Sequence, residues 1–89
     1  MRAVVTVMGK DQTGIIAKTS TLLADNGVNI LDITQTILQD IFTMVMMVDI
    51  KDSKLEFSAL GEQLSKLGDS MGLEIRIQHE DIFNSMHRV

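Results

Sequence analysis

An α+β sandwich of βαββαβ order is the fold class this sequence predicts, and three observations predict it. Apolar residues alternate with period two in four segments and recur at helical spacing in two others, and glycines stand where the periods change. The first and third extended segments are apolar on both faces, whereas the last is apolar on one. Strands buried on both faces belong in the middle of a sheet. In the βαββαβ order the first and third strands are that central pair.

Residues 2–8 carry Ala3, Val5 and Val7 on one face and Val4, Thr6 and Met8 on the other, as a strand with two neighbours requires. Residues 12–26 place Ile15, Ile16, Thr19, Leu22 and Leu23 at helical spacing. Asp11 or Thr13 is available to cap the start, and Gly27 suits the stop. Residues 28–39 return to β character, but their apolar phase shifts between Val28/Ile30 and Leu31/Ile33/Ile37. That shift predicts a bulge near Ile30 to Asp32. Gln39 and Asp40 form a tight turn without the favoured glycine.

Residues 41–50 alternate Phe42, Met44, Met46, Val48 and Ile50 on one face with Val45 and Met47 on the other. Ser53 and Glu56 have the spacing of a capping box. Phe57, Leu60, Leu64, Leu67 and Met71 follow at intervals of three and four, an amphipathic helix that Gly72 ends. Leu73, Ile75 and Ile77 then alternate with Glu74, Arg76 and Gln78 in a half-exposed strand. The expected domain spans residues 1–80, and the tail 81–89 is expected to add a short helix capped by Asp81.

The whole is a ferredoxin-like sandwich, a four-stranded antiparallel sheet with two helices on one face. Its other face is open and lined by Val4, Val45 and Met47, more apolar than a solvated face requires. Another copy of the chain, or the tail's Ile82, Phe83 and Met86, is expected to cover it. The 89 residues contain no Trp, Tyr or Pro, so the core is small and aliphatic with Met as filler. Such cores are often supplemented by oligomerisation, and a homodimer or higher homo-oligomer is expected.

Composition removes several classes of function. With no cysteine there is no disulfide, thiolate metal site or cysteine nucleophile. A net charge of -4, with the eight Lys and Arg scattered, argues against a nucleic-acid partner, and only Phe42 could stack a base from a central strand. The apolar run 41–48 is far shorter than the roughly 18 residues of a membrane helix, so no membrane partner is expected. The N-terminus reads as a strand, not a signal peptide, and the expected location is cytoplasmic. His79 and His87, with Glu80 and Asp81, lack a tight ligand spacing, and His79 continues an inward-facing phase, so a packed histidine is expected instead of a metal site. No cofactor is expected.

The stretch Gly9, Lys10, Asp11, Gln12, Thr13, Gly14 joins the first strand to the first helix. Its glycines have P-loop separation, but Ile15 and Ile16 stand where Lys and Ser/Thr must be. A dinucleotide fingerprint fails for want of the central glycine. What remains is a helix N-terminus, whose free N–H groups favour a small anion such as a carboxylate, with Asp11 able to accept from an ammonium group. That combination suits a zwitterion. The competing reading is that Asp11 merely caps the helix.

Gly9 to Ala17, followed by Leu22, Leu23, Ala24, Asp25, Asn26, Gly27, Val28, Asn29 and Ile30, resembles the signature of the ACT domain. In that pattern a Gly-x-Asp-x-x-Gly loop and helix lead to an Asn-Ile pair opening the second strand. The resemblance covers nearly the whole chain. The ending, His79 to Arg88, resembles uncharacterised stand-alone ACT proteins of bacteria and archaea, akin to the ACT modules of the glycine-cleavage regulatory protein.

The resemblance implies a regulatory module, not an enzyme, that pairs through its sheet and binds an amino acid between two copies. The implied ligand-binding positions are Lys10, Asp11, Gln12, Thr13, Gly14 and Ile15, with Asn29 and Ile30. Asn29 offers donor and acceptor alike, although a turn residue after Gly27 is an equal reading. No enzyme domain is expected to be attached, so a signal is expected to pass to a separate protein partner. An acylphosphatase-like activity lacks its loop arginine, since residues 9–17 contain none. A structural dimerisation module without ligand is the alternative.

Overall fold

The structure, a computed structural model, describes residues 1–86; His87, Arg88 and Val89 lie outside the described residues. Its elements are β1 (Arg2–Lys10), α1 (Ile15–Asp25), β2 (Asn29–Leu38), β3 (Ile41–Asp49), α2 (Phe57–Met71), β4 (Leu73–His79) and α3 (Glu80–Met86). The strands form one antiparallel sheet in the order β2-β3-β1-β4. The two strands with apolar residues on both faces are therefore the central ones, as the ferredoxin-like reading required.

Ala3, Val5 and Val7 of β1 and Phe42, Met44, Met46 and Val48 of β3 turn toward the helices. They are buried there with Leu23 of α1 and with Leu60 and Leu64 of α2. Each of these side chains larger than Ala3 contributes roughly 1.5–3 kcal/mol on leaving water. α2 lies along β4. At Gly68 the helix comes so close that a Cβ would stand 2.6 Å from the carbonyl oxygen of Leu73. The bulge falls where the phase shift predicted it, between Ile30 and Asp32, so Ile30 faces Val48 and Ile33 faces Met46 on the helix side. Gln39, in the β2–β3 turn, takes the left-handed φ of +58° without being glycine.

Both helices start later than expected, and neither uses the expected cap. α1 begins at Ile15 behind Gly14, and no side chain caps it, so Asp11 and Thr13 are not its caps. The loop before it is tied to the rest of the protein instead. The Asp11 N–H donates to the Asp40 carbonyl at 2.7 Å, and Gln12 Nε2 donates to the Met71 carbonyl at 2.7 Å. α2 begins at Phe57 behind an extended Glu56, again without a side-chain cap, which corrects the capping box. The Ser53 hydroxyl bonds locally, accepting from the Leu55 N–H at 3.2 Å and donating to its carbonyl at 2.8 Å. This turn lets Leu55 pack against the core before the helix begins.

α3 folds back over the open face of the sheet, contacting β1 and β4. It starts at Glu80, so Asp81 lies in its first turn and does not cap it. Phe83 is half-buried there, and Val4 beneath is 1% exposed. Arg2 holds the start of α3 bidentately, Nε donating to one carboxylate oxygen of Glu80 and Nη2 to the other, each at 2.5 Å. His79, just before it, stacks on Phe57 with ring centroids 4.1 Å apart and planes inclined by 11°.

The hydroxyl of Thr19 is buried in α1 without a hydrogen-bond partner among the described residues. Thr19→Val keeps the shape and removes that orphan, so it is expected to stabilise the fold by about 1 kcal/mol. A higher urea midpoint at unchanged slope is the readout. A pH effect follows from Arg2. Its bonds hold the Glu80 carboxyl below the usual carboxylate range, and Glu80 in turn raises the guanidinium. The attachment of α3 is therefore complete at neutral pH and lost as pH falls through the lowered Glu80 value. Amide protection of α3 relative to the sheet is expected to drop on acidification, and Arg2→Gln to show the low ratio already at neutral pH.

Candidate ligand site at the first loop and the sheet edge

β1 delivers residues 11–14 to the N-terminus of α1. Gly14 stands at φ +93° and ψ 2°, a conformation that disfavours any residue with a Cβ, although a Cβ there would meet only Lys18 Cε at 3.8 Å. Backbone conformation, not space, requires the glycine. Its carbonyl accepts the first helical bond, from the Lys18 N–H at 2.9 Å. The N–H groups of Ile15, Ile16 and Ala17 therefore precede the helical ladder and carry the positive end of its dipole.

Around these donors the side chains divide by role. Gln12 is a brace, bonded to α2's last residue. Ile15 is 2% exposed and belongs to the core, so it can offer a ligand only its N–H. Lys10, Asp11 and Thr13 are exposed, and among the described residues no hydrogen bond or ion pair engages their side-chain polar groups. The loop thus presents a cation, a carboxylate, a hydroxyl and free backbone donors in one place.

Asn29 and Ile30 do not join them. They open β2 opposite Asp49 and Val48, whereas Lys10 lies opposite Ile41, eight residues away along β3. At strand rise that is about 26 Å. The register brings Lys10 to Ile15 together, and Asn29 to Ile30 together, but sets the two groups at opposite ends of the sheet. Asn29 and Ile30 line a cleft of about 380 Å³ with Ser20, Thr21, Ala24 and Val28. The α1 side of that cleft was not anticipated. Its signal is the run of small residues on the exposed face of α1, which leaves room against β2.

Between the two ends runs the outer edge of β2, with no strand beside it. On the helix side Ile33 is 42% and Ile37 50% exposed. The strand is ten residues long and contains no Lys, Arg or Pro, devices that blunt natural edges. Among the described residues no group of three metal-ligating side chains comes together, and no helix is long and apolar enough to cross a membrane.

The sequence profile of the ACT domain matches residues 2–78. A UPF0237 protein of Methanocaldococcus jannaschii is 50% identical over 99% of this chain and 98% of its own length. An ACT domain protein from Streptococcus pneumoniae superposes with a TM-score of 0.81 at 41% identity, covering 93% of each chain. A structure assigned to a glycine cleavage system transcriptional repressor superposes with a TM-score of 0.74 at 23% identity, over 86% of this chain and 44% of that one. That last likeness is one of fold.

Because Asp11 caps nothing, Asp11→Ala is expected to leave ligand-free stability within about 0.5 kcal/mol of the parent. A helix cap would cost about 1 kcal/mol. Urea unfolding separates the two.

Proposed function

The chain belongs to the ACT domain family, and from that premise we propose that it is a homodimeric module that binds a free amino acid between two copies and passes its effect to a protein partner. ACT domains are generally small-molecule-binding regulatory modules, and we read this one as regulatory and not catalytic. The observation that carries the finer reading is the separation of the two groups of candidate residues. A zwitterion cannot touch Asp11 and Asn29 of one chain at once, because the sheet's length lies between them.

A second copy removes the difficulty. Pairing β2 antiparallel with its own copy, about a two-fold axis near Ile33 and Thr34, sets Asn29 of the partner subunit beside Leu38. That position adjoins Asp40, whose carbonyl holds the Asp11 N–H. The ligand carboxylate then meets the N–H groups of Ile15 and Ile16, its ammonium meets Asp11, and Asn29 of the partner subunit closes the site. Lys10, Gln12, Thr13 and Gly14, with Ile30 of the partner subunit, shape its walls. The same pairing covers Ile33 and Ile37 and satisfies the open backbone edge of β2. Two copies yield two equivalent sites, so occupancy at one favours the paired state that forms the other.

A thermal-shift panel of the twenty amino acids tests this. A ligand at about 100 times its Kd adds about 2.7 kcal/mol, on the order of ten degrees in a domain of this size. Asp11→Ala with Asn29→Ala is expected to abolish the response to the ligand that saturates this site and leave the dimer intact. Ile33→Lys is expected to abolish both. A flat panel with an intact dimer refutes the sensor and leaves the structural dimerisation module.

A further inference from the structure

The open face of the sheet holds a cavity that the β2-edge site does not use. It measures about 450 Å³, within the range of about 300–1,000 Å³ usual for small-ligand sites. Its floor is the open face of β1, β3 and β4, and α3 overhangs one side. Met8, Val45, Phe83 and Met86 make an apolar wall. On the β4 side stand Glu74 and Arg76, which form an ion pair and lie opposite Met8 and Thr6 in the register. The amide of Gln78 donates to Met86 Sδ at 3.3 Å, linking the end of α3 to that rim.

Charge is balanced at this rim and apolar surface faces it. An anionic apolar molecule would meet Glu74 as well as Arg76, and a cationic one would meet Arg76 as well as Glu74. A zwitterion inserts between the two, trading one exposed ion pair for two. Its side chain then lies against thioethers and a phenyl ring, surfaces that favour aromatic and branched groups. We propose that this cavity is a second ligand site, selective for amino acids with large apolar side chains, with Arg76 holding the carboxylate, Glu74 the ammonium, and α3 the side chain.

The site is separate from the loop and edge of the proposed dimer, and stands or falls independently of it. Its two rim charges are 70% and 59% exposed, so solvent screens them and binding in the millimolar range is expected.

Methionine methyl spectra of the full chain, titrated with L-phenylalanine, test the proposal. Saturable shifts are expected at Met8 and Met86, with the core residues Met44 and Met46 unmoved. Arg76→Gln, at an exposed position, is expected to weaken the response about tenfold, or about 1.4 kcal/mol. Glycine, which has no apolar body, and phenylacetate, which has no ammonium group, are expected to be poor ligands. The Asp11→Ala, Asn29→Ala double variant is expected to keep the shifts. Unmoved Met8 and Met86 signals overturn the proposal, as does an equal response to phenylacetate or an unaltered response in Arg76→Gln. Shifts lost in the double variant but kept in Arg76→Gln put the ligand at the loop alone, which overturns this site and leaves the β2-edge reading standing.

Discussion

β1 is hydrogen-bonded along nearly its whole length on both sides, and the rest of the molecule is arranged around that constraint. Its register with β3 runs without a slip from Arg2 opposite Asp49 to Lys10 opposite Ile41. A strand paired this way cannot slide, because a one-residue slip would turn Ala3, Val5 and Val7 away from the helices. The ends of β1 are therefore fixed points. One end presents the loop into α1 beside the β2–β3 turn. The other places Arg2 where it can hold the start of α3. Two features that bear on ligands thus take their positions from one strand.

The sandwich was legible because the signals that specify it are repetitive. Alternation over β1 and β3, and the spacing from Phe57 to Met71 in α2, each repeat many times, so no single residue decides the element. Even the bulge at Leu31 left a trace, since it interrupts a phase. The starts of the helices were less legible. Capping rules weigh a few neighbouring residues, and both Asp11 and Ser53 satisfied them locally. Contacts from distant sequence prevailed: Asp40 and Met71 hold the first loop, and the core draws Leu55 in before α2 begins. Such partners are 29 and 59 residues away and leave no local mark.

The candidate site was legible as a set of residues and only partly as a place. Lys10 to Ile15 and Asn29 to Ile30 could be named from the chain. Their distribution over two ends of the sheet is implicit in the βαββαβ order, in which α1 carries the chain back between the parallel β1 and β2, and the register adds the distance between them. The tail differs again. Ile82, Phe83 and Met86 were visible as apolar residues able to cover the open face, and α3 brings Phe83 and Met86 beside the sheet. Met86 stays 64% and Ile82 51% exposed. An overhanging helix with a cavity beside it is not a pattern that sequence periodicity encodes.

The bulge at Leu31 bears on solubility. A long edge with exposed Ile33 and Ile37 and without lysine or proline is an open invitation to add strands, and repeated addition ends in fibres. Leu31 gives the edge an extra residue and a sharper local twist near one end, so a flat foreign strand fits it poorly. About a two-fold axis near Ile33 and Thr34, Leu31 stands opposite Thr36 of the partner subunit, so two copies pair along the regular stretch between the two bulges. That contact is isologous and closes on itself, leaving neither copy with a second β2 edge to offer. A two-fold contact of this kind stops at a finite size, where open-ended strand addition grows without limit.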